Sequence, residues 1–406
     1  MKGSNWAFNA GTFNPGTGTT IFRPVNGIIS GNGTKIFRQL LVDTDATLSF
    51  PDDQITLEGN LTVAAGAVLN TNFSTLLLSN NATQSISANG TVFNNITVNK
   101  SSGSVTLINS LNIQGILSIQ TPTVFNSNGH LTILSTNDHP AMDGSIAALP
   151  VGASVNGNVT VQRYFSAIDD RNRFFSAPVS TATVAQLQQA FAVTGNFEGT
   201  SFPCEGCKNN GASLKWYDES VTGTFDKGYQ NFPGSSGSSA TQLVVGRGYD
   251  AWMWNGVAPT SINYVGPVNQ GSIALGAGAI THTVSSPVQP AADGWNLVGN
   301  PYPSAVQWNN TGWSRTNIDP VVWVWDVMGS TWFSYNANTG VGNLSNGVIA
   351  SGQAFWVYVP TPGAASLTIH ESAKSLAGSG SYYRRDNVTS NILLRHDVSE
   401  DRIYIL

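Results

Sequence analysis

The chain is expected to be all-β: a parallel β-solenoid (β-helix) followed by a duplicated β-sandwich or jelly-roll-like domain with one short helix. Three observations carry this. Gly, Asn, Ser and Thr abound while charged residues make up only 10% of 406, a composition that suits many short strands and tight turns. Residues 1–150 repeat themselves at a spacing of 56. The remainder carries three pairs of matching motifs in constant order, as a duplicated unit would.

In the first part Phe37, Leu40 and Val42 match Phe93, Ile96 and Val98, each at an offset of 56. Ile55, Leu57, Gly59, Leu61, Val63, Val68, Asn70, Leu77 and Leu78 match Leu111, Ile113, Gly115, Leu117, Ile119, Val124, Asn126, Ile133 and Leu134 at the same spacing. Within each short run the apolar residues alternate, as strands with one buried face require. Asn32-Gly33-Thr34 and Asn89-Gly90-Thr91 mark equivalent turns. With no helical period, these features predict a solenoid whose inward face is a ladder of Leu, Ile and Val, each repeat spanning two or three coils.

Composition changes near residue 160. Ten of the eleven tryptophans lie at or beyond Trp216, and the turn-rich stretch 140–157 reads as a junction. The second domain is expected over 158–370. In it Phe174-Phe175-Ser176-Ala177-Pro178 matches Leu297-Val298-Gly299-Asn300-Pro301, Leu214 to Asp218 matches Val322 to Asp326, and Gly246 to Tyr249 matches Gly352 to Phe355. The offsets shrink from 123 through 108 to 106, the mark of a duplicated β unit with trimmed loops. The prolines at 178, 301 and 303 end their strands, since proline donates nothing to a ladder. A helix is expected over 183–191, with Val184, Leu187 and Phe191 on one face and Ser180 or Thr181 as its cap. Residues 371–386 read as a linker, and 387–406 as the start of a truncated further β domain. No apolar signal core follows Met1, and the chain reads as a fragment of a longer protein.

A net charge of −5 and the lack of a basic run argue against a nucleic-acid partner. No apolar run is long enough to span a membrane. Cys204 and Cys207, in Cys-Glu-Gly-Cys, lack the further ligands of a zinc site and the βαβ setting of a redox motif. They read as a small disulfide stapling a loop, which fits an oxidising, extracellular location.

No catalytic constellation emerges. Asp52-Asp53 and Asp169-Asp170 are adjacent, and neighbours on a strand point to opposite faces, so turns are the simpler reading. Glycoside hydrolysis takes two carboxyl groups facing one sugar, and a lyase takes a base beside a cation. Lys2, Arg23, Lys35, Arg38 and Lys100 form no evident cluster with acids, and His130 and His139 stand alone. Cofactors are not expected. Calcium around Asp43, Asp45, Asp52 and Asp53 is the one alternative, against which no known loop spacing fits. The aromatics carry most weight. Trp252 and Trp254, Trp323 and Trp325, and Trp356 and Tyr358 each stand two apart, on one face of a strand. Such faces fill a core, or, left exposed, offer flat platforms to sugars. The core is the first reading for these faces; if one pair is exposed, it is expected to be Trp252 and Trp254, with Asp250 and Asn255 as polar neighbours of a glycan-binding site.

Phe93-Asn94-Asn95-Ile96-Thr97-Val98-Asn99-Lys100, with Val105-Thr106-Leu107 and Leu111 to Gly115, resembles the solenoid repeats of large Bacteroidetes-type surface proteins. Asn158 to Tyr164 and Gly294 to Ser304 resemble the β domain that follows them. The resemblance implies export by type IX secretion, through a removable N-terminal signal and a C-terminal sorting domain, neither visible here. It implies a secreted, cell-surface protein that engages the type IX secretion machinery, and offers no catalytic residues; polysaccharide or cell-surface glycans are the partners the aromatic pairs suggest. The expected role is a structural stalk with an adhesive or glycan-binding module. The alternatives are a polysaccharide-active lyase or hydrolase, or its accessory module, and a mechanical spacer or filament subunit.

Overall fold

The structure, a computed structural model, describes residues 5–13, 16–23, 25–136, 143–165, 171–203, 211–253, 260–286, 292–327 and 330–376, with the backbone of 394–397 and 402–405. Its first part is a parallel β-solenoid of about six turns, and antiparallel sheets follow.

Each coil has three sides. Two sides are seven-stranded parallel sheets, and the third is split into a ladder from Asn5–Ala7 to Val68–Asn70 and another from Val92–Phe93 to Asn158–Phe165. The coil length follows from the register. Lys35 pairs with Ile55, Ile55 with Leu76, Leu76 with Ile96, and Ile96 with Leu117, so one coil advances the numbering by 20 or 21. Ile55, Leu76, Ile96 and Leu117 are fully buried and stack directly on one another. Each such side chain contributes roughly 1.5–3 kcal/mol by leaving water. Lys35 begins this column with its stem buried, while its Nζ donates to the carbonyls of Gly31 and Gly33 and meets Asp53 at 3.1 Å. Around the first coils the rings of Trp6, Phe8, Phe13, Phe22 and Phe37 pack with neighbouring centroids 4.7 to 6.3 Å apart.

The spacing of 56 has a geometric origin in this coil. One side with its corner is a third of a coil, and an offset of 56 advances the chain by eight strands. Phe37 and Phe93 therefore lie on different sides of the solenoid, as do Ile55 and Leu111. The corners repeat too: Asn72 and Asn128 both adopt φ +49°, and both side chains donate to a carbonyl of the preceding coil. The matched pair Val68 and Val124 does not join the core. Both point outward, and Leu69 and Phe125 fill the interior instead. At the far end the match slips by one residue, so Leu76 and Leu78 are buried alongside Leu131 and Ile133. The lone basic residues also find acids one coil away: Arg23 meets Asp43 at 2.8 Å and Arg38 meets Glu58 at 3.4 Å. A coil brings such distant positions into contact, which no local spacing in the sequence displays.

Of the junction expected over 140–157, the described residues 143–157 are part of the last coil. Ser145–Ile146, Ser154–Asn156 and the strand Asn158–Phe165 form its three sides. The open edge of each is covered by the second half. Thr260–Pro267 pairs antiparallel with Asn158–Phe165 along its whole length. The Gln270 side chain acts as a peptide group towards Val155, accepting from its N–H (3.1 Å) and donating to its carbonyl (3.2 Å). Ile146 N–H donates to Pro303 O (3.1 Å), and Ser304 Oγ donates to Ile146 O. The linker expected from 371 begins as packed structure. Glu371 accepts from Leu149 N–H, and the buried Lys374 pairs with Glu371 at 2.8 Å while Lys374–Ser375 joins Ala305–Gln307. Residues 377–386 lie outside the described residues. Beyond them Leu394–Asp397 and Arg402–Ile405 form an antiparallel pair.

The second half repeats one sheet. Arg171–Phe175, Tyr249–Met253, Leu214–Tyr217 and Tyr229–Asn231 lie side by side in that order. Trp295–Gly299, Ala354–Tyr358, Val321–Asp326 and Thr331–Asn336 repeat it strand for strand. The two copies meet about a local two-fold relation. Phe175 bridges Gln353 and Arg247 bridges Val298, the same contact with the copies exchanged. Ser176 N–H donates to Gly352 O (2.7 Å), and its counterpart Gly299 N–H donates to Gly246 O (3.1 Å). Ser176 and Gly299 thus occupy equivalent places and face each other. A Cβ on Gly299 would lie 2.2 Å from that of Ser176, so one of the two must be glycine.

The helix covers Val184–Gln188, shorter than the expected 183–191, with Thr183 at its N-cap position and no side-chain cap bond. Val184, Leu187 and Phe191 are buried as the periodicity predicts. Its Gln186 amide exchanges two hydrogen bonds with the backbone of Val265, closing the outer edge of Thr260–Pro267.

Gly299→Ala is expected to cost about 1–3 kcal/mol in urea unfolding. Ser176→Gly in the same chain should recover part of that loss, since Ser176 Oγ makes no hydrogen bond. Equal losses in the single and double variants would contradict the facing arrangement.

Candidate binding site

On a strand, alternate residues share a face. One face of the first repeated sheet carries Asn172 and Phe174, Asp250 and Trp252, and Lys215 and Tyr217. Trp252 stands opposite Asn172, and Asp250 opposite both Phe174 and Lys215. The equivalent face of the second sheet carries Trp295 and Leu297, Trp356 and Tyr358, and Trp323 and Trp325. The duplication offsets place Asn172 with Trp295, Lys215 with Trp323, and Asp250 with Trp356. Each set lines a cleft. The polar one, of about 400 Å³, is formed by Asn172, Lys215, Asp250 and Trp252 with the loop 211–213. The aromatic one, of about 380 Å³, is formed by Trp295, Trp323 and Trp356 with Trp332, Phe225 and Tyr229. The same three strand positions thus hold amide, ammonium and carboxyl in one copy and three indoles in the other.

The polar cleft contains two of the four residues expected to bind ligand. Trp252 is 38% exposed, a platform at the wall. Asp250 is 5% exposed at the floor. Its Oδ2 accepts from Asn172 Nδ2 at 2.9 Å, while Oδ1 is buried with no partner. Burial pushes the Asp250 carboxyl up to about 7, against the opposing pull of the Asn172 hydrogen bond and the Lys215 charge. Such a group asks for a donor from a ligand, because an unmet buried acceptor is costly. Trp254 and Asn255 lie outside the described residues, as do Cys204 and Cys207. Asn172 and Lys215 escaped the sequence reading, although the duplication points to them: its offsets pair them with Trp295 and Trp323.

The other aromatic pairs divide between cleft and core. Trp323 lines the aromatic cleft and Trp325 packs on Trp332 at 4.9 Å. Trp356 is 3% exposed, with its Nε1 unpaired, and Tyr358 lies 5.2 Å from Trp295. The four solenoid aspartates do not converge. Asp43 faces Arg23, Asp53 caps Gln54 N–H and faces Lys35, and Asp52 accepts from Phe73 N–H. Among the described residues no group of three or more His, Cys, Asp or Glu side chains is placed to hold a metal. Among them, too, no helix is long and apolar enough to cross a membrane.

No family model, curated protein or solved structure matches this chain.

The Asp250 carboxyl fixes a pH dependence. Its folded-state value lies above the ordinary 3.8, so the folded chain keeps a proton that the unfolded chain has lost between about pH 4 and 7. Stability falls as pH rises through that window and levels off above it. Asp250→Asn should remove this component: the stability difference between wild type and variant, from urea unfolding, should change by a few kcal/mol across it. A difference independent of pH would contradict the buried carboxyl.

Proposed function

We propose that this chain is part of a non-catalytic, secreted cell-surface protein: a solenoid stalk carrying a glycan-binding head. One observation carries the binding reading. The polar cleft places a part-exposed indole beside a buried carboxyl with one unpaired oxygen, an amide and an ammonium. A sugar presents an apolar ring face for stacking and adjacent hydroxyls that donate to a carboxylate and accept from amide and ammonium donors. Trp252 would take the ring, Asp250 Oδ1 a hydroxyl proton, and Asn172 and Lys215 the oxygens. The stalk follows from the solenoid, in which each coil needs only its neighbours to bury its ladder. Surface location and export by type IX secretion rest on the resemblance of the repeats and of the 294–304 segment to Bacteroidetes-type surface proteins.

A polysaccharide-active enzyme is the second reading, because a carboxyl titrating near neutrality suits a general acid. The lining of the polar cleft holds one carboxyl group, however, where glycoside hydrolysis takes two.

Titration of the chain with a panel of soluble polysaccharides, followed by tryptophan fluorescence, should give a saturable change with at least one of them. Trp252→Ala should abolish that change and Asp250→Asn weaken binding about tenfold or more, with the far-ultraviolet dichroism of both variants unaltered. New reducing ends in the same samples would move the assignment to the enzyme. Silence across the panel would leave a spacer.

A further inference from the structure

The aromatic cleft differs in chemistry from the polar one and calls for a different ligand. Its lining residues are Phe225, Tyr229, Trp295, Trp323, Trp332 and Trp356, with no carboxylate, amide or ammonium among them. A sugar seated there would leave most of its hydroxyls without partners. Two pairs of rings stand at steep angles, as adjoining walls of a box do. Trp295 and Trp323 lie 6.4 Å apart with planes at 72° and Tyr229 and Trp356 6.4 Å apart at 82°, while Phe225 lies 5.2 Å from Trp356 at 43°.

The surroundings of this box are acidic. Glu219, Asp293 and Asp226 act on Tyr217, whose ring lies 4.8 Å from that of Trp356. Lys227 acts on Asp226. Glu219 takes its hydrogen bonds from Thr281 Oγ1, Thr283 N–H and Gly294 N–H, and Asp293 from Ser285, all of them neutral donors. Glu219 and Asp293 therefore leave negative charge on the Tyr217 side of a box whose walls present the negative faces of their π systems.

A primary ammonium carries strongly held water and asks for several acceptors, of which the side chains of this lining offer only the Tyr229 hydroxyl. A quaternary ammonium asks for none, and tryptophan faces are its best partners. We propose that the aromatic cleft is a binding site for a trimethylammonium group of the choline type. The site is lined by different residues from the polar cleft and does not depend on the glycan reading.

The test compares choline with 3,3-dimethylbutan-1-ol, its uncharged carbon isostere, on the full chain by calorimetry and tryptophan fluorescence. Choline should bind saturably, and at least about tenfold more tightly than the isostere, the part of the affinity that comes from charge on the rings. Trp332→Ala, at the 39% exposed wall, should weaken choline binding by a similar factor with an unchanged urea midpoint. Should that variant fail to fold, Trp323→Phe, which keeps a ring in place, should still bind choline more weakly than wild type. Equal affinity for the two probes would reduce the cleft to an apolar pocket and overturn the proposal. So would the absence of saturable choline binding.

Discussion

A stack of parallel strands can satisfy every backbone group except those at its open edges, and the way this chain closes one edge organises the rest of the molecule. The last coil has three exposed ladders, and each meets a different device from the second half. One receives a full antiparallel strand, Thr260–Pro267. One receives the amide of Gln270, acting as a single peptide unit. One receives Pro303, Ser304 and Lys374 at Ile146 and Ala147. The covering strand would itself present an edge, and Gln186 of the helix closes part of it. The second half is thus seated on the solenoid by hydrogen bonds to the main chain of its last coil.

That seating gives meaning to the duplication. Two copies of one sheet meet through reciprocal bridges at Phe175–Gln353 and Arg247–Val298, which holds their equivalent faces in a fixed relation. Divergence at three strand positions then produced two clefts of similar size and opposite chemistry. Asn172, Lys215 and Asp250 form one, and Trp295, Trp323 and Trp356 the other. The second half thus carries two dissimilar recesses, the ones proposed above for a sugar and for a trimethylammonium group.

Much of the fold was legible in the sequence because solenoid strands alternate strictly and bury one face. The period was harder to read. The strongest match falls at eight strands, while physical contact falls at three, so the spacing of 56 relates residues on different sides. Outward-facing Val68 and Val124 looked like core because valine suits either face of a strand. Edge closure by Gln270 was invisible, since a glutamine acting as a peptide group carries no pattern. At the candidate site Trp252 and Asp250 were accessible through spacing alone. Asn172 and Lys215 were not, because polar residues on a strand read as solvent-facing until the duplicated copy shows tryptophan in their places. The ion pairs Arg23–Asp43 and Arg38–Glu58 each join one coil to the next, a separation that becomes contact only once the coil length is known.

Closure of the last coil by the second half is measured directly by hydrogen–deuterium exchange on the intact chain. Closure predicts that amides of Ser154–Asn156 and Asn158–Phe165 exchange as slowly as those of Asn95–Val98 and Ser104–Leu107 in the middle of the stack. Fast exchange confined to the last coil, with the middle coils protected, would contradict it.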